Sequence, residues 1–278
     1  MKSTNPYSRT PYYVLTGGLA IIFLFPIVWS GLSSVSPSAG SNQVYGYGPG
    51  NYATLVNSDP GLSTWVFNSA AISIMTVMFV LAVSLIGGYA FAKFSFPGKN
   101  LIFLSTLAIL MVPYATLLIP LFILHNYVRD WPIIGWNLVW LALVLGMFQL
   151  PFATYMMRIS FESVPRELEE AALVDGGGTF SAFRHVLMPL VRPGVVTVGL
   201  FAFLAAWNDF FAPLVLISSP SEQPLPLALV NLLQQTMGAV DFGSTEAGVV
   251  AMAVPCLLLF LLLQRYYVQG FMSGAVKG

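Results

Sequence analysis

Charge is what this 278-residue chain has least of. Only 8% of its residues are Asp, Glu, Lys or Arg, against about 25% in a soluble domain. Eleven bases and eleven acids leave no net charge, which argues against nucleic acid as a partner. No stretch of ordinary soluble composition is long enough to make a free-standing catalytic domain. The one cysteine, Cys256, excludes an intrachain disulfide and lies in an apolar run beside Pro255. His125 and His185 are the only histidines, and neither belongs to a spaced metal-ligand set. The phosphate-cradling pattern G-x-x-x-x-G-K-S/T is missing. These absences leave an enzyme reading without support.

Hydrocarbon is what the chain has most of, with 57% hydrophobic residues. Six runs approach the roughly 20 residues that a helical membrane span needs. They are Tyr12–Ser34, Val66–Ala90, Leu101–Leu124, Ile133–Tyr155, Gly194–Ile217 and Ala247–Tyr267. Lipid offers the backbone no water, so such runs are expected to be helices. They are continuously apolar rather than alternating, which argues against a membrane barrel. The expected fold class is all-α, a polytopic membrane protein of six transmembrane helices. The first run follows Lys2 and Arg9, contains Pro26 and precedes no clear small-residue cleavage pattern. An uncleaved span is expected rather than a signal peptide.

The bases orient the chain. Lys2 and Arg9 precede the first run, and Lys93 and Lys99 follow the second. Arg158, Arg166, Arg184 and Arg192 lie between the fourth and fifth, and Arg265 and Lys277 at or after the sixth. Only Arg129, beside Asp130, falls in an opposite-side loop. Cytoplasmic loops carry the excess of Lys and Arg. Both termini, 1–11 and 268–278, and the segment 159–193 are therefore expected in the cytoplasm.

The outer segment Val35–Trp65 is rich in Gly, Ser, Tyr and Asn, with turns expected at Gly48-Pro49-Gly50 and Asp59-Pro60-Gly61. In the outer loop Ser218–Ser244, the stretch Leu225–Leu233 is apolar enough for a short helix. The tail from Gln269 reads as small and flexible. Paired glycines at Gly87-Gly88, and at Gly17-Gly18, allow close helix packing. Pro113, Pro120, Pro151, Pro213 and Pro255 fall in four of the runs, and proline bends or breaks a helix by removing a donor and crowding the preceding turn. That pattern favours a protein that opens and closes.

The polar segment 167–189 reads ELEEAALVDGGGTFSAFRHVLMP. After Pro165, Glu167, Glu169 and Glu170 face the positive end of a helix dipole. Leu168, Ala171, Ala172 and Val174 give a small apolar face, and Gly176-Gly177-Gly178 stops the helix. A second short helix is expected over Thr179–Leu187, ending at Pro189. Alanines let such an element enter a cleft on another protein. An ordinary amphipathic connector between two spans fits the spacing equally well.

Glu170-Ala171-Ala172, three residues, Gly176, nine residues and Val186-Leu187-Met188-Pro189 resembles the EAA motif of ABC importer permeases. Val186 and Met188 stand where isoleucine and leucine are commoner. Asn68-Ser69, Tyr89-Ala90-Phe91-Ala92, Met111-Val112-Pro113, Ile119-Pro120-Leu121 and Trp207-Asn208-Asp209-Phe210 are similar to the carbohydrate branch, and in particular to the shorter permease of maltose-type importers. The resemblance covers nearly the whole chain and implies a single permease domain over 1–278 with its core at 66–267. It implies that 159–193 is a coupling loop docking in a cytoplasmic ATPase through Glu167, Glu170, Ala171, Ala172, Asp175, Gly176 and Pro189. It implies as partners a second permease, an ATPase dimer, an extracytoplasmic sugar-binding protein, a sugar and membrane lipid. It places ATP and Mg2+ on the ATPase and no cofactor on this chain.

Trp207, Asn208 and Asp209 are candidates for the translocation pathway. A carboxylate deep in an apolar run must face the bundle, a wet cavity or a cation. A pathway role and structural pairing with helix-end donors both fit Asp209, and Trp207 suits either a sugar face or a membrane interface. The sequence also leaves open an importer of another small solute, and a membrane scaffold that only recruits a cytoplasmic partner.

Overall fold

A computed structural model describes residues 10–37, 46–235 and 241–275. Every regular element among them is helical. In order they are α1 (Thr10–Ser34), α2 (Gly50–Asn57), α3 (Leu62–Lys93), α4 (Lys99–Ala108) with a 3-10 turn at Ile109–Met111, α5 (Tyr114–Val128) and α6 (Asn137–Glu162). Then come α7 (Arg166–Val174), α8 (Thr179–Ala182), a π turn at Phe183–Leu187, α9 (Met188–Trp207), α10 (Phe211–Leu216), a 3-10 turn at Pro220–Glu222, α11 (Leu225–Gln235) and α12 (Phe242–Ala275). Five helices are long and apolar enough to cross a membrane, and the bent pair Lys99–Met111 plus Tyr114–Val128 makes a sixth crossing if it is one span. The all-α polytopic expectation therefore stands. The short helix expected at Leu225–Leu233 is present as α11, with Leu225, Leu227 and Ala228 buried. Lys2, Arg9, Lys277 and the rest of the extreme termini lie outside the described residues.

Three expectations need correction. The third run, Leu101–Leu124, is not one bent helix but two pieces meeting at 98°. Pro113 causes the break, because the residue before a proline is pushed out of the helical region. Val112 accordingly sits at φ −84°, ψ 120°. Pro120, by contrast, lies inside an uninterrupted α5.

The fifth run was placed at Gly194–Ile217, with a separate short helix before it. Instead one helix runs from Thr179 to Trp207. Pro189 does not end anything. It falls at the start of α9, directly after the π turn, and such wider turns accommodate backbone that cannot keep the regular i→i+4 pattern. The far end of the run is interrupted, with Asn208, Asp209 and Phe210 separating α9 from α10. The third correction is the tail, which is helical through Ala275.

The chain packs as two compact units, Met1–Ser63 with Ala228–Val254, and Thr64–Leu227 with Pro255–Gly278. The single membrane domain read from the sequence spans both. In the first, the Asn51 amide donates to the Ser34 and Ser36 carbonyls at 2.9 and 3.0 Å, tying α2 to the end of α1. Asp241 opens α12 by accepting from the Ser244 N–H at 3.1 Å and its hydroxyl at 2.6 Å, as a helix-capping acid does. Along α1, every residue from 11 to 29 is exposed, so this span meets lipid or another chain.

The second unit has two apolar centres threaded by α6. One gathers Trp140, Leu141, Val144 and Leu145 with Ile72, Leu118, Ala212 and Leu216. The other gathers Met157 and Phe161 with Val80, Leu187, Val191 and Val198. Gly88 lets α3 touch α6, because a Cβ there would stand 2.5 Å from that of Met157 and 2.9 Å from the Arg158 nitrogen. Of the two glycine pairs, Gly87-Gly88 packs closely, whereas Gly17 and Gly18 have nothing within 4 Å.

Candidate functional site

The polar segment folds as a short helix held out from the bundle and fixed from beneath. α7 begins directly after Pro165, whose ψ of 138° turns the chain, with Glu167 and Glu169 in the first turn. Its end is closed by three backbone bonds: Asp175 N–H to Ala171 O, Gly176 N–H to Leu173 O and Gly177 N–H to Ala172 O, at 3.0, 3.1 and 3.0 Å. That is the Schellman arrangement, which requires a left-handed residue just past the helix. Gly176 supplies it at φ +85°.

The acids of α7 divide by face. Glu167 and Glu170 are exposed, whereas Glu169 turns inward. Its Oε1 accepts a 2.7 Å hydrogen bond from the Tyr89 hydroxyl, and its Oε2 lies 3.7 Å from the Lys93 ammonium. Lys93 also donates to the Val164 carbonyl at 3.0 Å. The Tyr89 ring is boxed by Phe94, Phe161 and Phe183, with centroids 5.2–5.5 Å away in edge-to-face array. The end of α3 thus holds the Glu169 carboxylate of α7, and the end of α6 and the π turn pack on the Tyr89 ring beside it. Apolar side chains around α7 and the start of α8 are also exposed: Leu168, Leu173, Val174 at 86% and Phe180 at 74%. Ala171 lies among them, exposed, and Ala172 is half-buried. Exposed apolar side chains set among Glu167, Glu170 and Asp175 are suited to contact with a soluble protein.

The second constellation lies where α9 stops. Trp207 is buried, at 2% exposure, and stacks on Phe203 at 5.4 Å. Asn208 is exposed and bonds back to the Leu204 carbonyl through its side chain at 2.8 Å. Asp209 accepts from the Ala212 N–H at 2.9 Å, satisfying an orphan donor of α10, and from the Tyr114 hydroxyl at 2.7 Å. The pairing with helix-end donors weighed from the sequence is therefore present. The same carboxylate lines a cavity of about 390 Å³ with Tyr114, Gln149, Phe148, Leu145 and Pro113. The cavity sits against the 98° bend, so two chain breaks share one hydrogen bond.

The family model described as "Binding-protein-dependent transport system inner membrane component" matches residues 84–270, more than half the chain. The chain belongs to this family. It is 32% identical over 277 residues to the trehalose transport system permease protein SugB of Mycobacterium tuberculosis, covering 97% of this chain and 98% of that one. It is 36% identical over 215 residues to the diacetylchitobiose uptake system permease protein DasC of Streptomyces coelicolor, covering 77% and 76%. The fold matches a chain from the crystal structure of a bacterial ABC transporter involved in the import of the acidic polysaccharide alginate, with a TM-score of 0.76 at 21% identity, covering 96% and 100%.

This inner-membrane component is a multi-pass permease subunit, and its family is one of transporters rather than enzymes. Of the residues singled out from the sequence, Glu167, Glu170, Ala171, Ala172, Asp175 and Gly176 come together on α7 and its closing turn. Pro189 stands apart from them in α9. Trp207, Asn208 and Asp209 are adjacent in sequence but face three different environments. Sequence reasoning missed Glu169, Tyr114 and the Tyr89–Lys93 anchor as parts of these sites. A signal for Glu169 existed: at 100° per residue it stands about 200° from Glu167, on the face that must meet the bundle.

Proposed function

We propose that this permease imports a sugar by alternating access, driven by ATP hydrolysis on separate subunits. The observation that carries the proposal is α7 itself, which exposes apolar side chains, is closed by Gly176 and is pinned through Glu169 to the end of α3. A load applied to α7 reaches α3 through the Tyr89 and Lys93 contacts, and Lys93 ties α3 in turn to Val164, two residues past α6. It reaches α9 across the Asp175–Gly178 turn and along the continuous helix Thr179–Trp207. α9 ends at the Asp209–Tyr114 bond, beside the bend of the third span. Coupling of this kind requires each partner state to bind one arrangement of α7 more tightly than the other.

Both termini and α7 face the cytoplasm in this reading, supported by the distribution of Lys and Arg. The partners are a second permease, a pair of ATPase subunits that hold ATP and Mg2+, and an extracytoplasmic binding protein. Support for the binding protein comes from a solved alginate transporter in complex with a pentasaccharide-bound periplasmic protein, whose fold is similar at a TM-score of 0.67. Support for a sugar cargo comes from the trehalose and diacetylchitobiose permeases. A neutral cargo also suits a nearly uncharged interior. Asp209, with Asn208 and the Tyr114 cavity, is assigned to the pathway wall, and Trp207 to the packing behind it.

Purified complex with its binding protein, reconstituted in vesicles containing ATP and offered a panel of sugars, tests the assignment. Uptake of one sugar class that needs both ATP and the binding protein is expected. ATP-dependent uptake of an amino acid or phosphate and of no sugar contradicts it.

A further inference from the structure

Two arginines lie close to one tyrosine, Tyr266. The Arg192 guanidinium lies 5.4 Å from the centre of the Tyr266 ring, and that of Arg265 lies 4.8 Å from it. Arg265 also donates to the Tyr266 hydroxyl at 3.0 Å. Both arginines are exposed. The ion pairs among the described residues are Lys93–Glu169 and Arg158–Glu162, so neither of these two is neutralised. The sequence supplies no nearby acid either. None lies between Asp175 and Asp209, and none follows Glu246. Arg158 shows the contrast, with Glu162 at 2.7 Å and the Phe103 ring at 4.2 Å.

Near that cationic pair a groove of about 340 Å³ lies between α3, α9 and α12, lined by Val77, Leu81, Val195, Gly199, Phe203 and Leu263 among others. Val195 is one turn beyond Arg192, and Leu263 is one turn from Tyr266 on the same face. The arginines therefore lie near the groove. Its lining on α9 extends from Val195 to Phe203, about 12 Å at 1.5 Å per residue. A bilayer core is about 30 Å thick. The groove fits the chain of a lipid in one leaflet and is too short to seat a partner's spanning helix along its length.

We propose that this groove is a binding site for an anionic phospholipid. An acyl chain occupies the apolar cleft, and the phosphate bridges Arg192 and Arg265, which share the Tyr266 ring as a neighbour. Basic pockets between spanning helices on the cytoplasmic side recognise such headgroups, and a guanidinium presents paired donors to phosphate oxygens. Only the choice of leaflet rests on the proposed orientation; the headgroup chemistry does not.

The test uses the assembled transporter, stripped of lipid and offered phosphatidylglycerol or phosphatidylcholine of matched chains, with bound lipid counted by native mass spectrometry. The native complex is expected to retain phosphatidylglycerol in preference. Arg192→Gln combined with Arg265→Gln should weaken that binding about 25-fold, at about fivefold per charge near the surface, and leave phosphatidylcholine unchanged. Arg192→Lys with Arg265→Lys should keep most of the preference, which separates loss of charge from loss of fold. Gly199→Leu, whose Cβ has room 3.6 Å from Leu81, should fill the groove and lower retention of both lipids. Equal retention of the two lipids by the native complex overturns the proposal. So does unchanged phosphatidylglycerol binding in the glutamine variant, or a cysteine at position 199 cross-linking to the other permease.

Discussion

The hydroxyl of Tyr89 donates a 2.7 Å hydrogen bond to the carboxylate of Glu169, joining residues 80 positions apart. Tyr89 sits near the end of a spanning helix and Glu169 on the buried side of a surface helix whose other side is open. The bond gives α7 a fixed foot on the end of α3. A hydrogen bond to a charged group contributes about 1.5–3 kcal/mol. Tyr89→Phe is expected to loosen that foot by this amount, leaving the permease inserted while more ATP is hydrolysed per sugar carried. A double-mutant cycle with Glu169→Gln, read by uptake against ATP turnover, checks it. Additive effects would show that the two residues do not act together.

Gly176 tests the turn. A β-branched side chain at φ +85° is strained by the backbone itself, although nothing lies within 4 Å of the site where a Cβ would stand. Gly176→Val is expected to cost about 1–3 kcal/mol at the turn and to reduce transport severely. Gly176→Asn, which tolerates the left-handed region, should retain most of it. Equal loss in both variants would point to crowding by a partner rather than backbone strain.

At the second site the carboxylate's shape and its charge can be separated. Asp209→Asn keeps an acceptor for the Ala212 N–H, whereas Asp209→Ala leaves that donor and Tyr114 without theirs. Loss of a buried partner costs about 1–3 kcal/mol. The alanine variant is expected to lower the thermal stability of the purified complex and the asparagine variant to leave it nearly unchanged. If the asparagine variant is stable yet fails to transport, the negative charge itself serves the pathway.

Close packing at Gly88 gives a fourth outcome. Gly88→Ala drives a methyl into the Met157 and Arg158 backbone region and is expected to reduce the amount of folded permease, as overpacking costs about 1–3 kcal/mol. Gly17→Ala, with open space around it, serves as the control and should be neutral.

Most of the membrane architecture was legible because continuous apolar runs admit one backbone solution in lipid. What the runs hid were their interruptions. Pro113 signalled a bend, yet nothing local distinguished it from Pro120, which sits inside a regular helix. The end of α9 at Trp207 was masked because Phe210–Ile217 is as apolar as the helix before it. Pro189 read as a stop because the π turn that accommodates it follows from packing of Phe183 and Leu187, not from composition. The short helix after Pro165 and its glycine stop were legible in the spacing. Its anchor was not, since the partner of Glu169 comes from another helix.

The most direct measurement is disulfide or thiol cross-linking from Ala171→Cys, in a chain whose Cys256 is replaced by alanine, within the assembled transporter in native membranes. Cross-linking to the cytoplasmic ATP-hydrolysing subunit, with a yield that changes between nucleotide-free and ATP-bound states, is the expected result. Labelling of that cysteine by an impermeant reagent added from outside the cell, with no cross-link to any ATPase, would contradict it.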